Sequence, residues 1–212
     1  AELNGRLGGS PAILPGCEVN GERRAAGKRP VTDIWLWGQG RSMSLPTIPQ
    51  RYGLRGSVIS AVDLVRGLGV LAGLKIRLVE GATGYLGTNY AGKIEAARAA
   101  LETEDFVYLH VEAPDETGHE GVLEKKIQAI EEFDRHIVGE MLAYQEARND
   151  VRILVAPDHA TPLKIKTHSG EPVPFALCGP GIAPGGRGAF NEPEAGRSEP
   201  ITGPELFDLL VK

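Results

Sequence analysis

Two hydrophobic periods take turns along this chain. "DIWLW" (33–37) alternates like a short strand and is stopped by Gly-Gln-Gly. "GSVISAVDLVRGLGVLAGL" (56–74) places Val58, Val62, Leu64, Val65 and Leu68 at spacings that suit one face of a helix. "KIRLVE" (75–80) returns to strand, and "NYAGKIEAARAALE" (89–102) is rich in helix formers. In "DFVYLHVE" (105–112), Phe106 and Tyr108 share one face while Val107, Leu109 and Val111 share the other. Apolar residues on both faces predict an interior, parallel strand. The strongest helix pattern runs from about Val122 to Arg148, with the stripe Leu123, Ile127, Ile130, Phe133, Ile137 and Met141. "VRILVAP" predicts another interior strand, and "PFALCG" one more.

Strand and helix therefore alternate, and the expected fold class is α/β: an open, mostly parallel sheet with helices on both faces. Residues 1–30 show no sustained period and are broken by Gly, Pro and charges. They are expected to be an irregular segment or linker, with residues 31–212 forming the main domain.

With 212 residues, 42% of them hydrophobic, the chain can fill one core, or one domain plus the edge of another. A net charge of −5 offers no basic surface for nucleic acid, and no apolar run is long enough to span a bilayer. Two distant cysteines, Cys17 and Cys178, and no visible signal peptide fit a reduced, cytoplasmic protein. The chain begins with Ala rather than Met, as expected of a processed protein or a piece of a longer one.

Candidate chemistry follows the strands. Residues just beyond the C-terminal ends of parallel strands converge on one crevice. Asp115 and His119 follow one predicted strand, Asp158 and His159 follow another, and His168 precedes "VPFALCG". Carboxylate and imidazole donors together suit Zn²⁺ or Mn²⁺. Singly, each residue reads equally as a helix cap or a solvated loop group. His110 and His136 read as structural. "GTNYAGKI" (87–94) comes close to a phosphate-binding loop but ends in Ile94, where a Ser or Thr would hold Mg²⁺. A nucleotide-binding protein is therefore one alternative, with Lys93 as a residue that could touch phosphate.

"FVYLHVEAPDETGHEG", "LEKKIQAIEEFDRHIVGEML", "APDHATP" and "THSGEPVPF" together resemble the archaeal-type 2,3-bisphosphoglycerate-independent phosphoglycerate mutases of the alkaline phosphatase superfamily. The likeness extends over roughly residues 30–212. It implies an alkaline phosphatase-like core and interconversion of 3- and 2-phosphoglycerate through a phosphoserine, with two divalent ions, Mn²⁺ or Zn²⁺. Asp115, His119 and His168 would hold one ion, and Asp158 and His159 would contribute to the other. The Asp motif and nucleophilic Ser that complete this family's second site are not found here. The resemblance therefore implies an incomplete core: a C-terminal half, inactive by itself, whose partner is the missing N-terminal half. Residues 1–30 would then be the tail of an inserted cap region or a linker. "WLWGQG" resembles a bacterial branch that includes proposed homoserine kinases, so a phosphatase or phosphotransferase on the same core is a further alternative. Lys93, Arg41, Gln39 and Arg55 are candidates for holding a small phosphorylated substrate. Cutting such a sheet short would leave an apolar edge exposed.

Overall fold

The computed structural model describes residues 2–36, 38, 40–41, 43–185 and 188–212. The chain divides into two compact units, 1–44 and 45–212.

The first unit departs from the expected irregular segment. It contains helices α1 (Glu2–Ile13) and α2 (Glu18–Ala25), joined by a 3₁₀ turn. These helices carry no apolar stripe, so periodicity could not reveal them. Asn20 is buried and clamps the following segment: its side chain donates to the carbonyl of Val31 (2.7 Å) and accepts from the same residue's N–H (2.7 Å). Ser10 Oγ accepts from the N–H of Ile34 (3.2 Å). These side chains take up backbone groups a strand would need, and residues 33–36 of the expected "DIWLW" strand are not in a strand. Trp37 lies outside the described residues.

The second unit is α/β, as its alternating pattern requires. After a short helix, α3 (Ile48–Tyr52), strand β1 (Gly56–Ile59) is followed by α4 (Asp63–Leu71) and β2 (Lys75–Ile76). Then come α5 (Tyr90–Leu101), β3 (Phe106–Leu109) and α6 (Ala113–Glu120). The first four residues of the expected 56–74 helix are thus a strand, and only Asp63–Leu71 is helical. Val58 and Ile59 are β-branched, and all four residues of β1 are buried at the centre of the parallel order β2-β1-β3.

Helices cover both faces of this sheet. On one, α4 lies so close that a Cβ added at Gly69 would sit 2.5 Å from Val58 Cγ1. On the other, Leu109 and Val111 pack with Tyr90 and Ile94 of α5 and with Ile137. The expected long helix is α7 (Leu123–Phe133) and α8 (Gly139–Arg148), continuous through a π turn at Asp134–Val138. Strands β4 (Ile153–Val155) and β5 (Ala176–Cys178) form a separate antiparallel pair. Helices α9 (Glu192–Ala195) and α10 (Gly203–Val211) complete the unit. Neither β3 nor β4 is the interior strand expected: each is paired on one side only. No described helix is long and apolar enough to cross a membrane, and both cysteines are free.

One buried charge ties the N-terminal ends of the strands together. Glu104, with its side chain only 1% exposed, accepts hydrogen bonds from Ser57 Oγ and from Arg77 (2.9 Å), and pairs with Lys75 (3.1 Å). Burial pushes its carboxyl up, but the bonds from Ser57, Lys75 and Arg77 outweigh that and hold it below the ordinary value of 4.5. A depressed carboxyl stabilises the fold above its unfolded value, and that stability is lost as pH falls through the folded one. Glu104→Gln is expected to cost about 1–3 kcal/mol at neutral pH. It should also flatten the loss of stability below about pH 4.5. Urea midpoints measured across pH check both.

Candidate metal centre

Helix α6 starts directly after β3 and carries Asp115 in its first turn and His119 in its last. An i, i+4 spacing puts both side chains on one face. Asp115 Oδ2 lies 3.2 Å from His119 Nε2. The third group arrives on the loop after β4. Residues 160 and 169 pair in an isolated antiparallel bridge, with Ser169 N–H donating to Ala160 O (3.1 Å), and His159 and His168 stand next to it, one on each segment. Their rings lie 3.8 Å apart, centroid to centroid. His168 Nε2 is 3.3 Å from Asp115 Oδ1 and 3.1 Å from His119 Nε2.

These separations fit a cation. Four donors at about 2.0–2.1 Å around Zn²⁺ stand about 3.3–3.4 Å from one another. The two imidazole nitrogens stand 3.1 Å apart, and each lies 3.2–3.3 Å from a different oxygen of the Asp115 carboxylate. The orientation of the ligands is also fixed from behind. His119 Nδ1 faces the carbonyl of Lys166 (3.0 Å), which requires Nδ1–H and leaves the Nε2 lone pair free. That carbonyl and the charge of Asp115 also raise the imidazole's pKa above its ordinary value. Thr161 Oγ1 donates to Asp115 Oδ1.

His159 approaches the same carboxylate less closely, with Nδ1 4.0 Å from Asp115 Oδ1. Asp158 stands beside it, Oδ2 3.5 Å from His159 Nε2, with more than half of its side chain exposed. The structure therefore brings Asp115, His119 and His168 into one tight group, with Asp158 and His159 at its side.

The remaining candidates separate. Lys93 is fully buried and donates to His110 O (3.2 Å); burial pushes its ammonium down to about 8, against the pull of Glu112. Arg55 precedes β1, at the strand end opposite the cluster, and pairs with Asp105 (3.6 Å). Arg41 belongs to the 1–44 unit, and Gln39 lies outside the described residues. The phosphate-loop alternative is overturned by its own amides. Asn89 caps α5 by accepting from Gly92 N–H (2.9 Å), the N–H of Asn89 donates to Gly81 O and that of Lys93 to Asn89 O, and the lysine turns inward.

Several groups in this neighbourhood carried no role in the sequence reading. His110 contacts Glu112 (3.2 Å) through Nε2 and Ser60 Oγ (3.1 Å) through Nδ1. Burial lowers the pKa of His110; burial and the charges of Asp115 and Glu116 raise that of Glu112. Thr161 and Lys166 act through a hydroxyl and a carbonyl. Only the pairing of Thr161 with the Asp-His element, three residues on from Asp158, offered a signal.

Fold and donor set together define a class: an α/β protein with a carboxylate–imidazole cluster, able to hold a metal, at the strand ends. More narrowly, the chain belongs to the Metalloenzyme superfamily, which residues 16–205 match, and that membership implies divalent-metal binding. It is 50% identical over 89% of its length to a probable 2,3-bisphosphoglycerate-independent phosphoglycerate mutase of Geobacter sulfurreducens. It is 46% identical over 99% of its length to a mutase of the same name from Methanosarcina acetivorans. It spans about half of these relatives, 47% and 54% respectively. A solved structure of a Pyrococcus horikoshii protein superposes with a TM-score of 0.75 at 30% identity, over 88% of this chain and 49% of that one. The cofactor-independent phosphoglycerate mutase of Thermoplasma acidophilum shares the fold, with a TM-score of 0.61 at 24% identity, over 99% of this chain and 50% of that one.

Gly121 ends α6 with φ 73°, and a Cβ there would lie 2.3 Å from Lys166 Cε. Gly121→Ala should therefore lower stability by about 1–2 kcal/mol from the left-handed backbone alone. It should also push the Lys166 side chain off the carbonyl of Glu120, to which its Nζ donates (2.9 Å). Thermal unfolding reads the first effect, and a shift of the Lys166 side-chain signals by NMR reads the second.

Proposed function

We propose that this chain supplies the metal-binding half of a 2,3-bisphosphoglycerate-independent phosphoglycerate mutase, which interconverts 3- and 2-phosphoglycerate through a phosphoserine. Asp115, His119 and His168 hold one divalent ion, Mn²⁺ or Zn²⁺. Asp158 and His159 belong to a second, whose other ligands and whose serine nucleophile come from the remaining half. The observation that carries this reading is the pair of imidazole nitrogens 3.1 Å apart, each 3.2–3.3 Å from one oxygen of Asp115, beyond the ends of β3 and β4. The relatives at 46–50% identity support the reaction.

When bound, such ions polarise phosphoryl oxygens and activate the attacking oxygen. The chain's own residues prepare for that role. Lys166 O holds the His119 ring so that Nε2 faces the cluster. Thr161 occupies one lone pair of Asp115 and fixes the carboxylate plane. Lys126 Nζ bridges Pro114 O (2.7 Å) and Thr161 O (3.3 Å), locking the ligand loop onto α6. At Gly118 the two backbones are so close that a Cβ would lie 2.7 Å from Thr161 O.

Asp115→Ala and His168→Ala each remove one of three ligands. They are expected to weaken Mn²⁺ or Zn²⁺ binding by more than about a hundredfold, the upper range for losing a residue that merely supports a ligand. Calorimetric titration measures this, and unchanged affinity in both variants would end the assignment. Imidazoles bind metal only when neutral, and His119 is held above the ordinary imidazole value, so affinity should fall as pH is lowered, starting above that value. The function itself is tested by assaying 3-phosphoglycerate turnover with Mn²⁺. The 212-residue chain alone should be inactive, and the chain joined to the remaining half of the Geobacter relative should be active. Turnover by the isolated chain at an ordinary enzyme rate, or a joined protein without mutase activity, overturns it.

A further inference from the structure

Past their C-terminal ends, the two central strands continue into a buried polar chain. β1 and β3 pair in register up to Ile59 and Leu109, so the next residues, Ser60 and His110, stand side by side. Ser60 Oγ lies 3.1 Å from His110 Nδ1 and accepts from the N–H of Val62 (3.0 Å). His110 Nε2 lies 3.2 Å from Glu112 Oε2. Burial lowers the pKa of His110, so near neutral pH the ring carries a single N–H. A carboxylate oxygen only accepts, which puts that hydrogen on Nε2 and leaves Nδ1 to accept from the Ser60 hydroxyl. Ser60 is 4% exposed and committed to this chain, so it is an anchor and not a nucleophile. Lys93 completes the support: fully buried, it donates to the carbonyl of His110 (3.2 Å).

The chain ends on a carboxylate that is only half used. Oε2 faces His110, and no described residue donates to Oε1. The side chain is 21% exposed and lines the cleft between β3 and β4, as do Asp115, Asp158 and His159. One of its oxygens lies within 4.8 Å of a carboxylate oxygen of Asp115. Glu112 therefore borders the metal centre, but its hydrogen-bonded partner is His110 rather than His119 or His168.

We propose that Glu112 contacts the substrate of the mutase, its free oxygen accepting the hydroxyl hydrogen of phosphoglycerate, and that His110 and Ser60 are positioning residues that aim it. The choice of group follows from donors and acceptors. Above the second phosphate pKa of about 6, the phosphate and carboxylate of this ligand only accept hydrogen bonds. Its hydroxyl is the one donor, and a carboxylate in the site matches nothing else on the molecule. Contact there also separates the hydroxyl, the group that receives the phosphoryl in the mutase reaction, from the two anionic ends. The inference rests on the mutase reading for the identity of the ligand.

The test pairs a change in the ligand with a change in the protein. The protein is the Mn²⁺-loaded chain joined to the remaining half of the Geobacter relative. Calorimetric Kd values are compared at about pH 8, where the phosphate is fully ionised, for 3-phosphoglycerate and for 3-phosphonooxypropanoate, which lacks the hydroxyl. The unsubstituted protein should prefer the hydroxyl-bearing ligand at least about tenfold, as for a hydrogen bond to a charged group. Glu112→Ala should bind the two within about threefold of each other and keep its Mn²⁺ affinity. His110→Ala should lose most of the preference, and His110→Gln, which returns a donor to Glu112, should regain it. In the 212-residue chain, ring-nitrogen NMR shifts of His110 should report hydrogen on Nε2. Equal binding of the two ligands by the unsubstituted protein overturns the proposal, as does a preference that survives Glu112→Ala. So does Mn²⁺ affinity lost with Glu112, or hydrogen on Nδ1 alone. If Glu112→Ala does not fold, the unsubstituted protein and the His110 variants decide alone. Each of these failures, in a joined protein that turns over phosphoglycerate, leaves the mutase reading standing. A joined protein that binds neither ligand and shows no turnover removes that reading, and this contact with it.

Discussion

The carboxylate of Asp115 is the group on which the site closes. His119 and His168 converge on its two oxygens, His159 stands 4.0 Å away, and Thr161 donates to it. The surrounding structure holds it in place. α6 fixes the spacing of Asp115 and His119, the bridge between Ala160 and Ser169 pairs the other two histidines, and Lys126 and Gly118 press the two elements together.

How much of this was legible depended on whether the determining contact was local. The long α7–α8 rod was readable from its apolar stripe, α5 from its run of helix formers, and β3 as a strand, though not as an interior one, from its apolar alternation. The α1 and α2 helices were not, since no stripe marks them, and within the lost strand at 33–36 the N–H of Ile34 is taken by Ser10, far away in sequence. β1 was hidden inside a continuous apolar run, where period alone cannot separate strand from helix. At the site, the five Asp and His residues stood out because strand ends focus them. The supports did not, since a backbone carbonyl such as that of Lys166 leaves no trace in residue type. Lys93 looked like a phosphate ligand only while its neighbours were unknown; burial against His110 O gives it a different task.

The edge expected to be left apolar takes a specific form. It is not a flat outer strand but a slot between β3 and β4 that opens on the metal centre. Cleft and cluster thus share one boundary, formed by Asp115, Asp158 and His159.

Glu104 lies at the far end of the strands from the metal cluster, and that separation has a practical consequence. The clamp between Ser57, Lys75 and Arg77 shares no residue with the cluster, so substitutions that dismantle the cluster leave the strand ends tied, and the variants can be compared as folded proteins.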